Sequence, residues 1–333
     1  MTSTTPAVPH RALTVLLTVV LPLLFTAGAF GWVASFAAEL PDPVAVHWSF
    51  DGRPDGFGSW QSSLAPLAAV TLAMCGMAAA IGVGLGRAAA TRRLAVFLGL
   101  WSGVALPWMV AGSLHLQRGL SDASLAANAD QPMWLSFGAA TLIGGVAAAL
   151  IPGDARLPTR DQVPADAARL TLADTEVASW RRTAQITGFW WVAIGGGLLT
   201  LALAGFGARQ GAFGAQLTAW ITGLVTALLV ALGRWQVVVD HTGLTVRPLI
   251  SRPRTRVPLD EVVSAEVTAV SPLKDFGGWG YRVGSEGRVG VVVRTGEAIC
   301  VHQTGGRALV VTVDDAATGA ALLNTLADRA RRR

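Results

Sequence analysis

The chain has 333 residues, 52% of them hydrophobic and only 14% charged, with a mean hydropathy of +0.49. Soluble domains carry roughly 25% charged residues, so a soluble globular protein is excluded and a membrane protein is expected. The formal net charge is +5, and fourteen of the twenty-six Lys and Arg fall in residues 234–333. They are scattered among acids rather than gathered in one stripe, which points to anionic lipid headgroups and not to nucleic acid.

In chain order, the apolar run Leu13–Ala38 is longer than the roughly 7–15 residues of a signal-peptide core. It reads as a retained transmembrane helix with a kink at Pro22. The stretch Leu40–Ser59, LPDPVAVHWSFDGRPDGFGS, is a polar, turn-rich, aromatic loop pinned between two spans. Three more runs follow, Leu64–Leu85, Leu94–Leu116 and Met133–Ile151, each near the roughly 20 residues that cross the hydrocarbon core. Gly82 and Gly84 do not complete a dinucleotide fingerprint, because position 87 is Arg; they suit close helix packing.

A polar linker, residues 153–185, comes next, with Pro158 and Pro164 breaking its first part. Its second part, Asp166–Gln185, places Leu170, Val177 and Trp180 near helical spacing and predicts an interfacial amphipathic helix, with a plain solvated connector as the alternative. The fifth and sixth runs, Ile186–Gly207 and Phe213–Gly233, are joined by the short segment Ala208–Ala212 and must form an antiparallel hairpin. With the N-terminus inside, nine Arg flank the inner ends of the spans and only Arg53, Arg118 and Arg209 lie outside. That bias makes both termini cytoplasmic and the 40–59 loop extracellular.

From residue 234 the period changes. Seven short β-type runs separated largely by Gly-containing turns precede a closing helix, Asp315–Arg331, capped by Asp314. The expected fold is therefore an α-helical integral membrane bundle of six transmembrane helices followed by a small cytoplasmic β-barrel with a C-terminal helix. Its parts are a four-helix region (1–152), the linker (153–185), a two-helix hairpin (186–233) and the barrel domain (234–333).

Little in the sequence carries chemistry. The spans contain no Asp, Glu, Lys or Arg by this parsing, which argues against a proton-coupled carrier or an intramembrane protease. His115, near the outer end of the third run, reads as an interfacial polar cap. Cys75 and Cys300 read as unpaired thiols, and no metal-ligand spacing stands out. A calcium loop starting at Asp51 fails at Arg53 and at Ser62, where a bidentate Glu is required. His47 is read as structural, and Pro54 with the glycines as a tight turn. Trp48, Phe50, Phe57 and Trp60 either dock on the bundle, sit in the headgroup layer, or form a recognition face for a peptide or lipid. The segment SPLKDFGGWGYR, Ser271–Arg282, is a shaped loop or a partner-contacting one. His241 and His302 read as turn or strand-edge residues, and the terminal arginines as a solvated tail or a lipid contact.

The outer loop resembles the domain-of-unknown-function family DUF1648, whose relatives include SdpI-like membrane immunity proteins. The matching positions are Leu40, Pro41, His47, Gly52, Pro54, Asp55 and Gly56. The last hundred residues are similar in strand count, closing helix and the Phe276–Arg282 segment to bacterial pleckstrin-homology-type (PH-like) domains. These resemblances imply a non-enzymatic, multi-pass protein of the bacterial cell membrane, a sensor or immunity-type protein; a transporter or permease component is the alternative. The loop residues Pro41, His47, Trp48, Gly52, Pro54, Asp55, Gly56 and Trp60 would meet a peptide or lipid ligand outside. Lys274, Phe276, Gly277, Trp279, Tyr281 and Arg282 would meet a cytoplasmic protein partner. No cofactor is expected.

Overall fold

The computed structural model describes residues 8–49, 52–173, 175–186, 188–210, 213–248, 254–284 and 287–332, and the chain divides into two compact units, 7–154 and 155–333. Among the described residues five helices are long and apolar enough to cross a membrane, which makes this a membrane-embedded protein in a lipid bilayer.

Four of these helices form the first unit: α1 (Arg11–Glu39), α2 (Trp60–Gly84), α3 (Ala89–His115) and α4 (Asp130–Leu150). Between α1 and α2 a hairpin pairs β1 (Val44–Trp48) with β2 (Pro54–Gly58). The irregularity expected at Pro22 takes the form of a π turn, Leu16–Val20, directly before it. Proline has no N–H to donate to the preceding turn, and a π turn accommodates that loss.

Helix α3 is the axis of this unit. Its apolar window is 56% buried, against 17–28% for α1, α2 and α4. Close approach explains why. A Cβ on Gly99 would stand 2.9 Å from the Thr18 Cα, and one on Gly103 would stand 2.5 Å from the Pro22 Cα. The two glycines therefore let α1 lie directly against the α3 backbone, the way small residues seat helices in lipid. Thr26 seals the seam: its hydroxyl donates to the Pro22 carbonyl at 2.9 Å and to the Gly103 carbonyl at 3.4 Å.

Arg92 and Arg93 were expected in a loop before the third span. They lie instead in the first turn of α3, and Arg92 is fully buried. Its guanidinium donates to the carbonyls of Gly86 and Arg87, at 2.7 and 3.0 Å, and faces Asp154 at 3.4 Å. The Asp154 carboxylate also accepts from the Ala89 amide at 2.6 Å, at the helix N-terminus. One charged pair thus ties together both ends of the chain that meet there.

Among its described residues the second unit contains helices α5 (Phe189–Gln210) and α6 (Phe213–Leu232) and nine strands. Of α5, Phe189–Phe206 qualifies as a span; of α6, the described side chains cover the apolar stretch Ala219–Leu232. The connection at 211–212 lies outside the described residues. The two helices pack through Gly196 against Thr226 and Gly223 against Thr200. Trp191, Leu201 and Trp220 are 70–79% exposed, as lipid-facing side chains are.

The expected amphipathic helix at Asp166–Gln185 does not form. Trp180–Gln185 is a strand, β3, paired antiparallel with β4 (Arg234–Asp240), and residues 166–173 and 175–179 contain no helix. The helical spacing was coincidental, because Val177 is 88% exposed while Trp180 is 5% exposed, and one helical face would have covered both. Pairing of β3 with β4 places the two ends of the α5–α6 hairpin side by side, with the Ile186 amide donating to the Gly233 carbonyl at 3.0 Å.

The closed barrel is also corrected. One sheet has the order β3-β4-β5-β6, with β5 at Gly243–Pro248 and β6 at Thr255–Val257. The other has the order β7-β10-β11-β9-β8. Its strands are β7 (Val262–Val270), β8 (Gly280–Val283), β9 (Val289–Val292), β10 (Gly296–Gln303) and β11 (Arg307–Thr312). The ladders stay separate because helix α8 (Ala316–Arg332) lies between them. A Cβ on its Gly319 would stand 2.7 Å from Ile299 of one sheet and 3.0 Å from Trp180 of the other. Helix α8 starts one residue later than expected, after Asp315, and the amides of Asp315 and Ala316 donate to Glu297 Oε1 at 2.7 and 3.4 Å. The Asp315 side chain bonds other side chains. Its carboxylate accepts from Thr318 at 2.5 Å, from Trp180 Nε1 at 3.1 Å and from Arg182 at 2.6 Å. The bonds from Thr318 and Trp180 hold its pKa below the ordinary carboxylate value.

Gly103→Ala should destabilise the first unit by about 1–3 kcal/mol, the usual cost of overpacking. Thermal melting in detergent checks this, with Gly145→Ala, whose Cβ would meet nothing within 4 Å, expected to melt as the parent does.

Candidate functional site

The hairpin between α1 and α2 is clamped along one edge of β1 by a buried side chain. Gln117, just past the end of α3, is fully buried. Its Oε1 accepts from the Ala45 amide at 2.8 Å and its Nε2 donates to the Ala45 carbonyl at 2.9 Å. A side-chain amide thus stands in for a neighbouring strand along this edge of β1. Arg118 makes a two-point pair with Glu39 at 2.9 and 3.0 Å and lies over the Phe36 ring at 5.0 Å. The Gly119 amide donates to the Glu39 carbonyl at 2.8 Å. The segment after α3 therefore grips both the end of α1 and the hairpin.

The predicted loop residues come together on this hairpin. His47 and Asp55 face each other at 2.5 Å on its exposed side. Gly56 lies opposite His47, and a Cβ there would be 2.8 Å from the His47 Cβ, so the glycine makes room for the imidazole. Gly52 has φ +81 in the turn, and the Gly52 amide donates to the Ser49 carbonyl at 2.9 Å. Pro54 opens β2, and Pro41 is half-buried ahead of β1. Trp48 packs on Ala45, Ala123 and Ala126, and its Nε1 donates to the Ala127 carbonyl at 3.1 Å. Trp60 packs against the core cluster of α1, α2 and α3. Phe57 is 46% exposed. Phe50 and Asp51, and with Asp51 the calcium register, lie outside the described residues. His115 is exposed at the end of α3, stacked on Trp32 at 4.9 Å and edge-on to Phe36.

Beneath β1 opens a cleft of about 290 Å³. Val46, His47 and Trp48 form its rim and Ser63, Met109 and Ser113 its wall. It is largely apolar with a few hydroxyl and imidazole groups, the composition of a site for an amphipathic group. Nothing in the local sequence marks Gln117, since its partner Ala45 lies seventy-two residues away.

In the second unit, the glycine-dense segment folds into a short helix, α7 (Pro272–Phe276), closed by Gly277 at φ +64. Phe276 is buried among Val270, Val292 and Val310. Tyr281 stacks on Trp235 at 6.3 Å. Lys274, Trp279 and Arg282 are exposed, with Arg282 donating to the Trp279 carbonyl at 2.8 Å. Phe276 and Gly277 thus shape the segment, and four of the six predicted contact residues, Lys274, Gly277, Trp279 and Arg282, are exposed.

A second constellation joins residues that the sequence kept apart. Glu266 of β7 lies directly across from Cys300 of β10, and His302 follows Cys300 on the same face. His302 Nε2 is 2.9 Å from Glu266 Oε1 and 3.7 Å from Cys300 Sγ. The contact with Cys300 first, and then that with Glu266, holds the His302 pKa up to about 9 against the opposing effect of burial.

Residues 15–71 match the family model described as a domain of unknown function (DUF1648). The match covers α1 from Val15 onward, the whole hairpin and the first half of α2. The N-terminal region thus carries a DUF1648-type segment, and the hairpin lies at its centre. No curated protein and no solved structure matches the chain.

Gln117→Leu should strip both polar groups of Ala45 of their partners. Each orphaned group costs about 1–3 kcal/mol, so the variant should lose roughly 2–6 kcal/mol in detergent unfolding. A melting transition that does not move would show that the hairpin needs no such clamp.

Proposed function

We propose that the protein is a six-span, non-enzymatic receptor of the bacterial cell membrane, of the sensor or immunity type. In this reading α6 completes the sixth span, both termini lie in the cytoplasm, and the hairpin faces outward. The hairpin and the cleft beneath it receive a peptide or lipid. The second unit, through Leu273, Lys274, Trp279 and Arg282, passes the signal to a cytoplasmic protein.

The observation that carries this reading is the cleft of about 290 Å³ roofed by β1. Its roof is fixed by Gln117 rather than left as a free loop, so a recognition surface is already in place before any ligand arrives. The exposed His47–Asp55 pair gives the rim polar groups that a headgroup or peptide backbone would meet. Arg11, Arg87, Arg92 and Arg93 on the other side of the spans support the orientation.

Two experiments test it. In a background free of Cys75 and Cys300, a cysteine at position 55 should react with an impermeant reagent on intact cells. A cysteine at position 273 should react only after permeabilisation. The reverse pattern would overturn the orientation. A photo-crosslinking residue at Val46 should capture a peptide or lipid on intact cells, and Trp48→Ala or Asp55→Asn should diminish the capture. If position 46 captures no such species, the cleft is not a receptor site.

A further inference from the structure

We propose that Glu266, Cys300 and His302 form a binding site for a zinc-type divalent cation on the five-stranded sheet. Residues two apart on a strand share a face, and cross-strand neighbours stand side by side. Cys300 and His302 are two apart on β10, and Glu266 is the cross-strand partner of Cys300 on β7. Three different ligand types therefore converge on one patch of one face. The carboxylate, thiol and imidazole donor atoms all lie within 4.8 Å of one another.

Those spacings suit a shared ion. Zinc binds thiolate at about 2.3 Å and imidazole or carboxylate at about 2.0–2.2 Å. Donors around it are then about 3–4 Å apart. The 3.7 Å between His302 Nε2 and Cys300 Sγ fits without movement, and the 2.9 Å between His302 Nε2 and Glu266 Oε1 needs only a slight opening. A thiolate with an imidazole selects a borderline-soft ion, whereas calcium or magnesium would require an all-oxygen set.

The setting grades from dry to wet. Cys300 is 3% exposed and packs against Val270, Ala298 and Val310. His302 is half-buried and Glu266 exposed. An ion would enter past Glu266 and His302 and seat against the sulfur, with water in the fourth position. β10 runs between β7 and β11, so the two ligands it carries are held on a rigid central strand, while Glu266 stands on the edge strand β7. Binding releases protons from the thiol and the imidazole to solvent, leaving thiolate and neutral imidazole on the ion.

Cobalt(II) is the probe, because cobalt–thiolate bonds absorb in the near ultraviolet and cobalt–carboxylate bonds do not. Titrating the full chain in detergent with Co²⁺ should develop one thiolate band that saturates at one ion per chain and is bleached by Zn²⁺. The band should persist in Cys75→Ser, vanish in Cys300→Ser, and require about tenfold or more Co²⁺ in His302→Ala. Glu266→Gln changes an exposed side chain and should leave the fold intact, yet weaken Co²⁺ binding by a similar factor. Absence of a band in the parent protein, or a band that survives Cys300→Ser, would overturn the proposal. So would a Glu266→Gln variant that binds Co²⁺ as the parent does.

Discussion

The N-terminal unit depends on a buried amide bonded to a backbone edge. A two-stranded hairpin in isolation is marginal in water, and one edge of β1 would bury unpaired polar groups against the bundle. Gln117 removes that cost by offering one donor and one acceptor, 2.9 and 2.8 Å from the carbonyl and amide of Ala45. The second unit uses the same device. Asn324 of α8, fully buried, accepts from the Ala265 amide at 2.8 Å and donates to the Ala265 carbonyl at 2.8 Å. It donates as well to the Ala168 carbonyl at 2.9 Å, which pins the linker strap to the domain. In both places a side-chain amide, just past the end of α3 or on α8, supplies a strand's missing partner.

Around these two points the rest follows from packing. In the first unit α3 is the shared neighbour of α1, α2 and α4, and small residues at its contacts set how near they come. Its two ends do different work. At one end Asp154 and Arg92 close the inter-helix connections; at the other Gln117 and Arg118 hold the hairpin and the end of α1. In the second unit α8 separates two sheets. The linker lies along it through the Arg169–Asp328 pair at 2.8 Å and the bonds between Thr325 and Leu170.

The membrane helices were legible in the sequence because each is a long apolar run, and length alone is a strong constraint in lipid. The 40–59 motif was legible for its composition, and its residues do gather on one hairpin. What gives that hairpin its rigidity was not legible, since Gln117 lies seventy-two residues from Ala45. β3 was misread because three apolar residues at helical spacing outweighed a pairing partner, β4, lying beyond two intervening helices. The longest strand, β7, went unread, and with it the meeting of Glu266 and Cys300. A Cys and a His two apart in a predicted strand was the one available hint of that cluster. The single barrel failed for a similar reason, because nothing local shows that β9 pairs parallel with β11 while β3 to β6 close a sheet of their own.

Gln117 fixes the Ala45 edge of the hairpin between α1 and α2 over its cleft. Residue-resolved hydrogen exchange of the Ala45 amide in the native protein tests it most directly, because that amide bonds to Gln117 and not across the hairpin. The account predicts that it is protected at least as strongly as the amides that pair β1 with β2. Exchange of the Ala45 amide at the rate of an open loop, while those neighbours stay protected, would contradict it.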